Sequence, residues 1–421
     1  MAVIFCQSKN HGKILRSDFN ATLANWAGNV QPLEPIGDLN MGPFQPFVME
    51  RMMSKFEQKV DYNLSESGVH PVLLSELLAD NPDMIDHLLA TDLNYPHVNG
   101  IPELRQNIAN FHDGATPNNV LVTVGAIEAN YNSVRTLLSA GDEIVIMLPN
   151  YMQIWGIAKN HDYRLNTFHL REDRGWAPDL AELESVLTPS TRLIAVCNPN
   201  NPTGRMLTES EMDAIVASAE RVGAWILSDE VYRGANRVSD EENSSFYGRY
   251  DKVLAVGSMS KAYGLPGLRI GWVVGPVDTI DDIWARHEYT TISATMLSNK
   301  LAAIALSPEV RPRLLQRTRS FIRRGYPLLQ EWMDRHTNTF TLIPPDAAAI
   351  AFIRYQLNVN STELTERLRK EKSVLIVPGD HFGMDHFLRI SFGLPHNYLV
   401  PALDRIHDLI MELENTLSFQ P

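Results

Sequence analysis

Short apolar runs recur through the middle of the chain, and each stops at a polar or Gly/Pro-rich motif. Val120–Val124 reads as a strand, followed by Gly125 and a helical stretch to Leu138. Glu143–Leu148 is a strand stopped by Pro149, and Leu193–Cys197 is one closed by Asn198-Pro-Asn-Asn-Pro-Thr-Gly204. Between Glu209 and Val222, Met212, Ile215, Val216 and Ala219 recur at helical spacing. Trp225–Leu227 and Val253–Val256 are further strands, each ending in a polar motif. Strands and helices that alternate in this way, with strands apolar on both faces, predict an α/β fold: a mostly parallel sheet sandwiched by helices.

The texture changes near Leu306. A long helix is expected over Arg311–Asp334, then strands near Phe340–Ile343 and Ala349–Ile353 and a helix at Thr362–Lys370. Strands at Val374–Val377 and Leu388–Phe392 and a last helix from Tyr398 to about Leu413 complete a smaller α+β domain. Before Gln58 the pattern is mixed and carries Pro32, Pro35, Pro43 and Pro46, which reads as a wrapping arm rather than a core. The expected organisation is an arm with part of the small domain over residues 1–62, a large cofactor-binding domain over 63–306 and a small domain over 307–421.

Composition narrows the function. The chain has 421 residues, enough for a large core and a smaller second one. Its formal charge of −13, from 37 basic and 50 acidic side chains, argues against nucleic acid or an anionic membrane as partner. The two cysteines, Cys6 and Cys197, give no disulfide framework, and no apolar run is long enough to span a membrane or direct secretion. A cytoplasmic enzyme is expected, with no metal site.

Four polar motifs follow apolar strands, and in a parallel sheet strand C-terminal ends share the edge where ligands bind. Lys261 lies in Ser258-Met-Ser-Lys261-Ala-Tyr-Gly-Leu-Pro-Gly-Leu-Arg269, a nucleophilic amine beside hydroxyls and an arginine. That arrangement suits a phosphorylated aldehyde cofactor. Gly125-Ala126-Ile127 opens a helix whose free amides favour an anion. In the rigid Asn198–Gly204 loop, Asn201 is held to donate to a ligand oxygen. Asp229, just past Trp225-Ile-Leu, reads either as a helix cap or as a paired buried carboxylate, and Tyr232 follows on the same face. Arg389 sits inside the apolar strand Leu388-Arg-Ile-Ser-Phe392 and needs an anion: a ligand carboxylate, or a structural salt-bridge partner.

Together, Asn-Pro-x-Asn-Pro-Thr-Gly, Asp-Glu-x-Tyr, Ser-x-x-Lys with its downstream arginine, and Arg-Ile-Ser-Phe resemble the class I/II aminotransferase family, the fold type I pyridoxal 5'-phosphate (PLP) enzymes. The likeness runs from about Asn63 onward. It implies that Lys261 holds PLP as a Schiff base and later shuttles the α-proton, and that Asp229 pairs with the pyridinium nitrogen. It implies phenolic-oxygen contacts from Asn201 and Tyr232, and a ring-stacking role for Tyr151. Phosphate contacts are implied for Ser258, Arg269 and the amides of Gly125, Ala126 and Ile127. It further implies that Tyr95, in Asn94-Tyr-Pro, reaches the phosphate of a neighbouring subunit, so that a homodimer shares its sites. Arg389 would clamp the α-carboxylate of a free L-amino acid joined to the cofactor as an external aldimine.

One stretch departs from the usual pattern of that family. Glu66-Ser67-Gly68-Val69-His70 stands where many members have a Gly-x-Gly-like turn beside the substrate. With Val-Pro-Gly-x-x-Phe-Gly at Val377–Gly383, it is similar to PLP enzymes that cyclise a hydroxylated arginine by side-chain elimination and readdition. This likeness implies Glu66 as counter-charge to a guanidino side chain, His70 as a proton carrier there, and Ser67 and Gly68 as substrate neighbours. Elimination, replacement or cyclisation on an arginine-like amino acid therefore leads, and transamination to a 2-oxo acid is the alternative. No second arginine matches a dicarboxylate side chain, and the intact site argues against a regulatory protein that has lost catalysis.

Overall fold

The computed structural model describes residues 44–79 and 83–418. Its compact unit runs from Gln45 onward. Strand β1 (Tyr62–Asn63) comes first, followed by the strands of the main sheet: β2 (Val120–Thr123), β3 (Glu143–Leu148), β4 (Arg164–Arg171), β5 (Ala177–Pro178), β6 (Thr191–Cys197), β7 (Trp225–Asp229), β8 (Val253–Ser258) and β9 (Gly271–Val274). Their order across the sheet is β2-β9-β8-β7-β6-β3-β4-β5. From β8 through β7, β6 and β3 to β4 every neighbour is parallel. β9 is antiparallel to both β8 and β2, and β5 to β4.

Why the sheet is so apolar follows from its coverage. β8 is buried at every position, and β6 at every position but one. Alternate residues feed two cores: Ile144, Leu193, Leu227 and Leu254 pack on one side, Val145, Ile194, Ile226 and Val253 on the other. The expected strands and the helices Ala126–Leu137, Glu209–Val222 and Arg311–Asp334 are all present. β4 and β9 were not anticipated. β4 is half-exposed with a mixed pattern, and β9 carries Gly271 and Trp272, so neither shows a clean apolar run.

A second sheet joins β10 (Phe340–Thr341), β11 (Ile350–Tyr355), β13 (Val377–Pro378) and β14 (Phe387–Ser391) in the antiparallel order β10-β11-β14-β13. β12 (Val374–Leu375) pairs in parallel with β1. The chain after β1 then runs beside β14: Ser391 N donates to Leu64 O, and His70 N to Gly393 O. This ties residues near Ser65 to the strand that carries Arg389.

The stretch read as an arm reaches into the core. Val48–Phe56 is a helix that buries Met49 and Met53 against Val145 and Phe382 in one cluster. Val48, Met49, Met52, Met53 and Phe56 recur at helical spacing, a local signal that the reading of this stretch as an arm overlooked. Residues 1–43 of that arm lie outside the described residues, and Cys6 with them.

Candidate active site

Register brings the four motifs together. Thr123 pairs with Gly271, Gly271 with Ser258, and Asp229 with both Val256 and Cys197. The ends of β2, β6, β7 and β8 therefore sit side by side. Because β9 runs the other way, its start, with Arg269 just before it, returns to the same edge. A cavity of about 330 Å³ opens there.

One wall is an anion cradle. Gly125 caps the helix Ala126–Leu137 at φ 77° with no side-chain cap, which leaves the first amides free for a ligand. A Cβ on Gly125 would stand 2.7 Å from Arg269 Nη2, and one on Gly271 would stand 2.3 Å from Ala126 N. Both positions need glycine for backbone and guanidinium to approach this closely. Arg269 itself is held at φ 50°, a left-handed conformation costly for a residue with a side chain, and its Nη1 donates to Pro266 O at 3.1 Å. Ser258 is buried on the same wall, its Oγ accepting from Ser260 N at 2.9 Å.

Deeper in the cavity lies Asp229, 7% exposed. Its oxygens accept from Asn130 Nδ2 at 2.9 Å and Val231 N at 3.2 Å. Burial holds its pKa above the ordinary carboxylate value, and Asn130, Val231 and Lys261 oppose that rise only in part. A cationic partner would complete it. Asn130 was missed in the sequence, as was Gln153, whose side chain links Asn130 to Ile127 O. Their signal was available: Asn130, Asn132 and Ser133 interrupt the helix Ala126–Leu137 at buried positions.

Lys261 stands three residues past β8, its side chain 24% exposed, with Nζ 3.8 Å from Glu66 Oε2. Tyr232 is buried, its hydroxyl bonded to Ser67, and burial drives its pKa well up. Arg389, 1% exposed, donates from Nη1 to Asn201 Oδ1 at 3.0 Å and from Nη2 to Ser65 O at 2.5 Å. Its Nε has no hydrogen-bond partner among the described residues. Because Asn201 gives its oxygen to Arg389, its amide nitrogen remains as the donor it can offer a ligand. Tyr151 lines the cavity, and its hydroxyl donates to Glu50 Oε1 at 2.7 Å.

Tyr95, Gly68 and His70, all expected at the site, lie elsewhere. Tyr95 is 79% exposed and does not line the cavity. The Glu66–His70 segment divides: Glu66 and Ser67 face the first cavity, while Gly68, Val69 and His70 line a neighbouring cavity of about 340 Å³. Glu66, Ser260 and Lys261 border both. The His70 side chain packs 5.9 Å from the Phe321 ring, and burial together with Arg317 lowers its pKa.

An anion cradle, a buried carboxylate and a lysine at one edge of a largely parallel sheet define a site for a phosphorylated aldehyde cofactor with a cationic ring. Comparison with known proteins agrees. The family description "Aminotransferase class I and II" matches residues 73–406, and the chain belongs to that family. It is a PLP-dependent enzyme. Capreomycidine synthase of Streptomyces vinaceus is 32% identical over 380 residues, covering 87% of this chain and 92% of the relative. An aspartate aminotransferase of Thermotoga maritima is 26% identical over 327 residues, covering 76% and 84%. The crystal structure of a PLP-dependent aminotransferase from Streptococcus suis superposes with a TM-score of 0.83 at 30% identity, covering 88% of this chain and 99% of that one. The residues present fit PLP. Gly125 and Gly271 let the Arg269 guanidinium and the helix-start amides close on one point, burial leaves Asp229 in want of a cation among the described residues, and Lys261 reaches the same cavity.

Proposed function

We propose that this enzyme carries out β- or γ-elimination with replacement or cyclisation on a guanidino amino acid. The supporting observation is Glu66: its carboxylate stands 3.8 Å from Lys261 Nζ, in a chain that is 32% identical to a capreomycidine synthase over most of its length. PLP, when bound, supplies an electron sink at the substrate α-carbon. The protein's own groups do the rest. Lys261 holds the cofactor through Nζ and afterwards moves the α-proton. Asp229 keeps the ring nitrogen protonated, Asn201 and Tyr232 donate to the ring oxygen, and Tyr151 covers the ring. Ser258, Arg269 and the amides of Gly125, Ala126 and Ile127 hold the phosphate. Arg389 fixes the α-carboxylate, with Ser67 and Gly68 beside the substrate. Tyr95, exposed on one protomer, serves the phosphate of a second in a homodimer.

The reaction balances without an oxidant. Loss of the α-proton and of a β-hydroxyl as water forms a Cα=Cβ double bond. Addition of a guanidino nitrogen to Cβ, with a proton returned to Cα, closes a ring. His70, at the neighbouring cavity, carries protons for the side chain. Transamination is the second reading, favoured by the likeness to a PLP-dependent aminotransferase of known structure. A product assay across arginine and its hydroxylated analogues decides between them. Cyclised product without stoichiometric 2-oxo acid is expected. Stoichiometric 2-oxo acid with no loss of side-chain substituent would establish transamination instead.

A further inference from the structure

The cavity is charged at two places that the cofactor does not use. Arg389 is one: fully buried, with Nε unpartnered among the described residues, it calls for a ligand anion. The other is acidic. Glu50, Glu57 and Glu66 all line the same cavity. Glu50 belongs to the helix Val48–Phe56 and Glu57 caps its end, seven residues later and so two turns along one face. Ser54 and Met53 lie between them on that face, and buried Met49 and Met53 anchor the helix to the core. Glu66 approaches from the segment after β1. The basic residues of that helix, Arg51 and Lys55, are exposed and do not line the cavity. Lys261 stands 3.8 Å from Glu66, its amine being the group that takes the cofactor, while Arg389, which lines the same cavity, lies within the field of Glu66 and Glu50.

Three carboxylates on one wall repel one another. Burial raises the pKa of Glu57, and Glu66 and Glu50 raise it further. Glu50 is steadied by the Tyr151 hydroxyl, whereas among the described residues no side-chain hydrogen bond steadies Glu57 or Glu66 in the same way. Such a wall costs stability unless a cation completes it.

We propose that Glu57, with Glu50 and Glu66, forms the subsite for the terminal cation of the substrate side chain, in the cavity whose carboxylate clamp is Arg389. The helix Val48–Phe56 thereby becomes the element that selects the substrate. This rests on the guanidino-substrate reading above and adds Glu50 and Glu57 to it. A neutral side chain would leave the wall unneutralised, and an acidic one would be repelled.

The test is a titration of PLP-loaded enzyme, without an amino-group acceptor, with arginine and with citrulline. These differ in a guanidinium against a neutral urea group. Dissociation constants are read from the cofactor absorbance in wild type, Glu57→Gln, Glu57→Asp and Glu50→Gln. Wild type is expected to prefer arginine by about tenfold or more, a charge contact worth roughly 1.4 kcal/mol or more. Glu57→Gln should cut that preference about fivefold, and Glu57→Asp should restore part of it. If wild type shows no preference, the guanidino reading itself fails. If wild type prefers arginine and both glutamine variants keep the full preference, this subsite is wrong while that reading stands. Glu57→Gln alone decides should Glu50→Gln disturb Tyr151 and cofactor loading.

Discussion

Asp229, Ser258 and Asn201 stand on a cavity wall made by the ends of β7, β8 and β6, whereas Glu50, Glu57 and Glu66 stand on one made by a short helix and a loop. The first wall is fixed twice over. Its strands are buried on both faces, and their register sets neighbouring ends within one step of each other. The second wall hangs on fewer contacts: Met49 and Met53 in the core, the Tyr151 hydroxyl on Glu50, and the backbone pairing of Leu64 and His70 beside β14. Rigid strand ends suit a cofactor that stays, and a wall on a helix and loop suits a substrate that comes and goes. In a family whose members differ in reaction, the second wall is where difference can accumulate without unseating the first.

The sharpest break of the cofactor wall is Lys261→Ala. Turnover should fall by at least about 10²–10⁴-fold, the share of proton transfer alone. Borohydride reduction should leave cofactor mass on the wild-type peptide containing Lys261 and none on the variant. Label recovered on another lysine would move the site. Asp229→Asn comes next, with a loss of about 10²-fold and some cofactor retained, because a neutral amide cannot hold the ring nitrogen protonated. Unchanged α-deuterium exchange in that variant would remove Asp229 from the role.

Arg389→Lys tests the junction of the two walls. A point charge cannot reproduce the guanidinium fork that already serves Asn201 and Ser65, so amino acid affinity should drop about tenfold or more. An amine lacking the carboxylate that bound wild type as well as the amino acid would show that Arg389 holds something else. Asn130→Ala weakens the support of Asp229 more gently. Without the Asn130 donor, the raised carboxyl pKa should climb further, since that hydrogen bond now opposes burial. Charged Asp229 is then lost at a higher pH on acidification, so the acidic limb of the activity profile should move upward. A limb that stays in place would confine Asn130 to packing.

The smallest effects belong to the substrate wall. Glu66 is half exposed, so Glu66→Gln should weaken arginine-like substrates only about two- to fivefold and leave neutral amino acids nearly untouched. His70→Ala should slow product formation more than α-deuterium exchange. Equal slowing of both would mean that His70 acts on the fold rather than on the side chain of the substrate.

Much of this molecule can be read along the chain because its determinants are local. An apolar run ended by Asn198–Gly204, Ser228-Asp229 or Ser258–Lys261 declares both a buried strand and the edge where it stops, and parallel packing then brings those stops together. Arg389 announces itself as a charge inside an apolar strand. Other features were decided by folding alone. β9 turns against its neighbours and so delivers Arg269 to the cradle, a matter of pairing partners that lie far apart in sequence. Asn130 finds Asp229 across 99 residues of chain. Glu66 borders both cavities while His70, four residues on, lines only the second of them, the chain being pinned at Leu64 and His70 beside β14 and at Val72 to Gly264. The acidic wall joins Glu50 and Glu57 to Glu66 only after Met49 and Met53 bury their helix against the distant core. Strand ends and motifs follow from near-neighbour sterics and burial. Which side chains share a cavity depends on long-range contacts that no local pattern encodes.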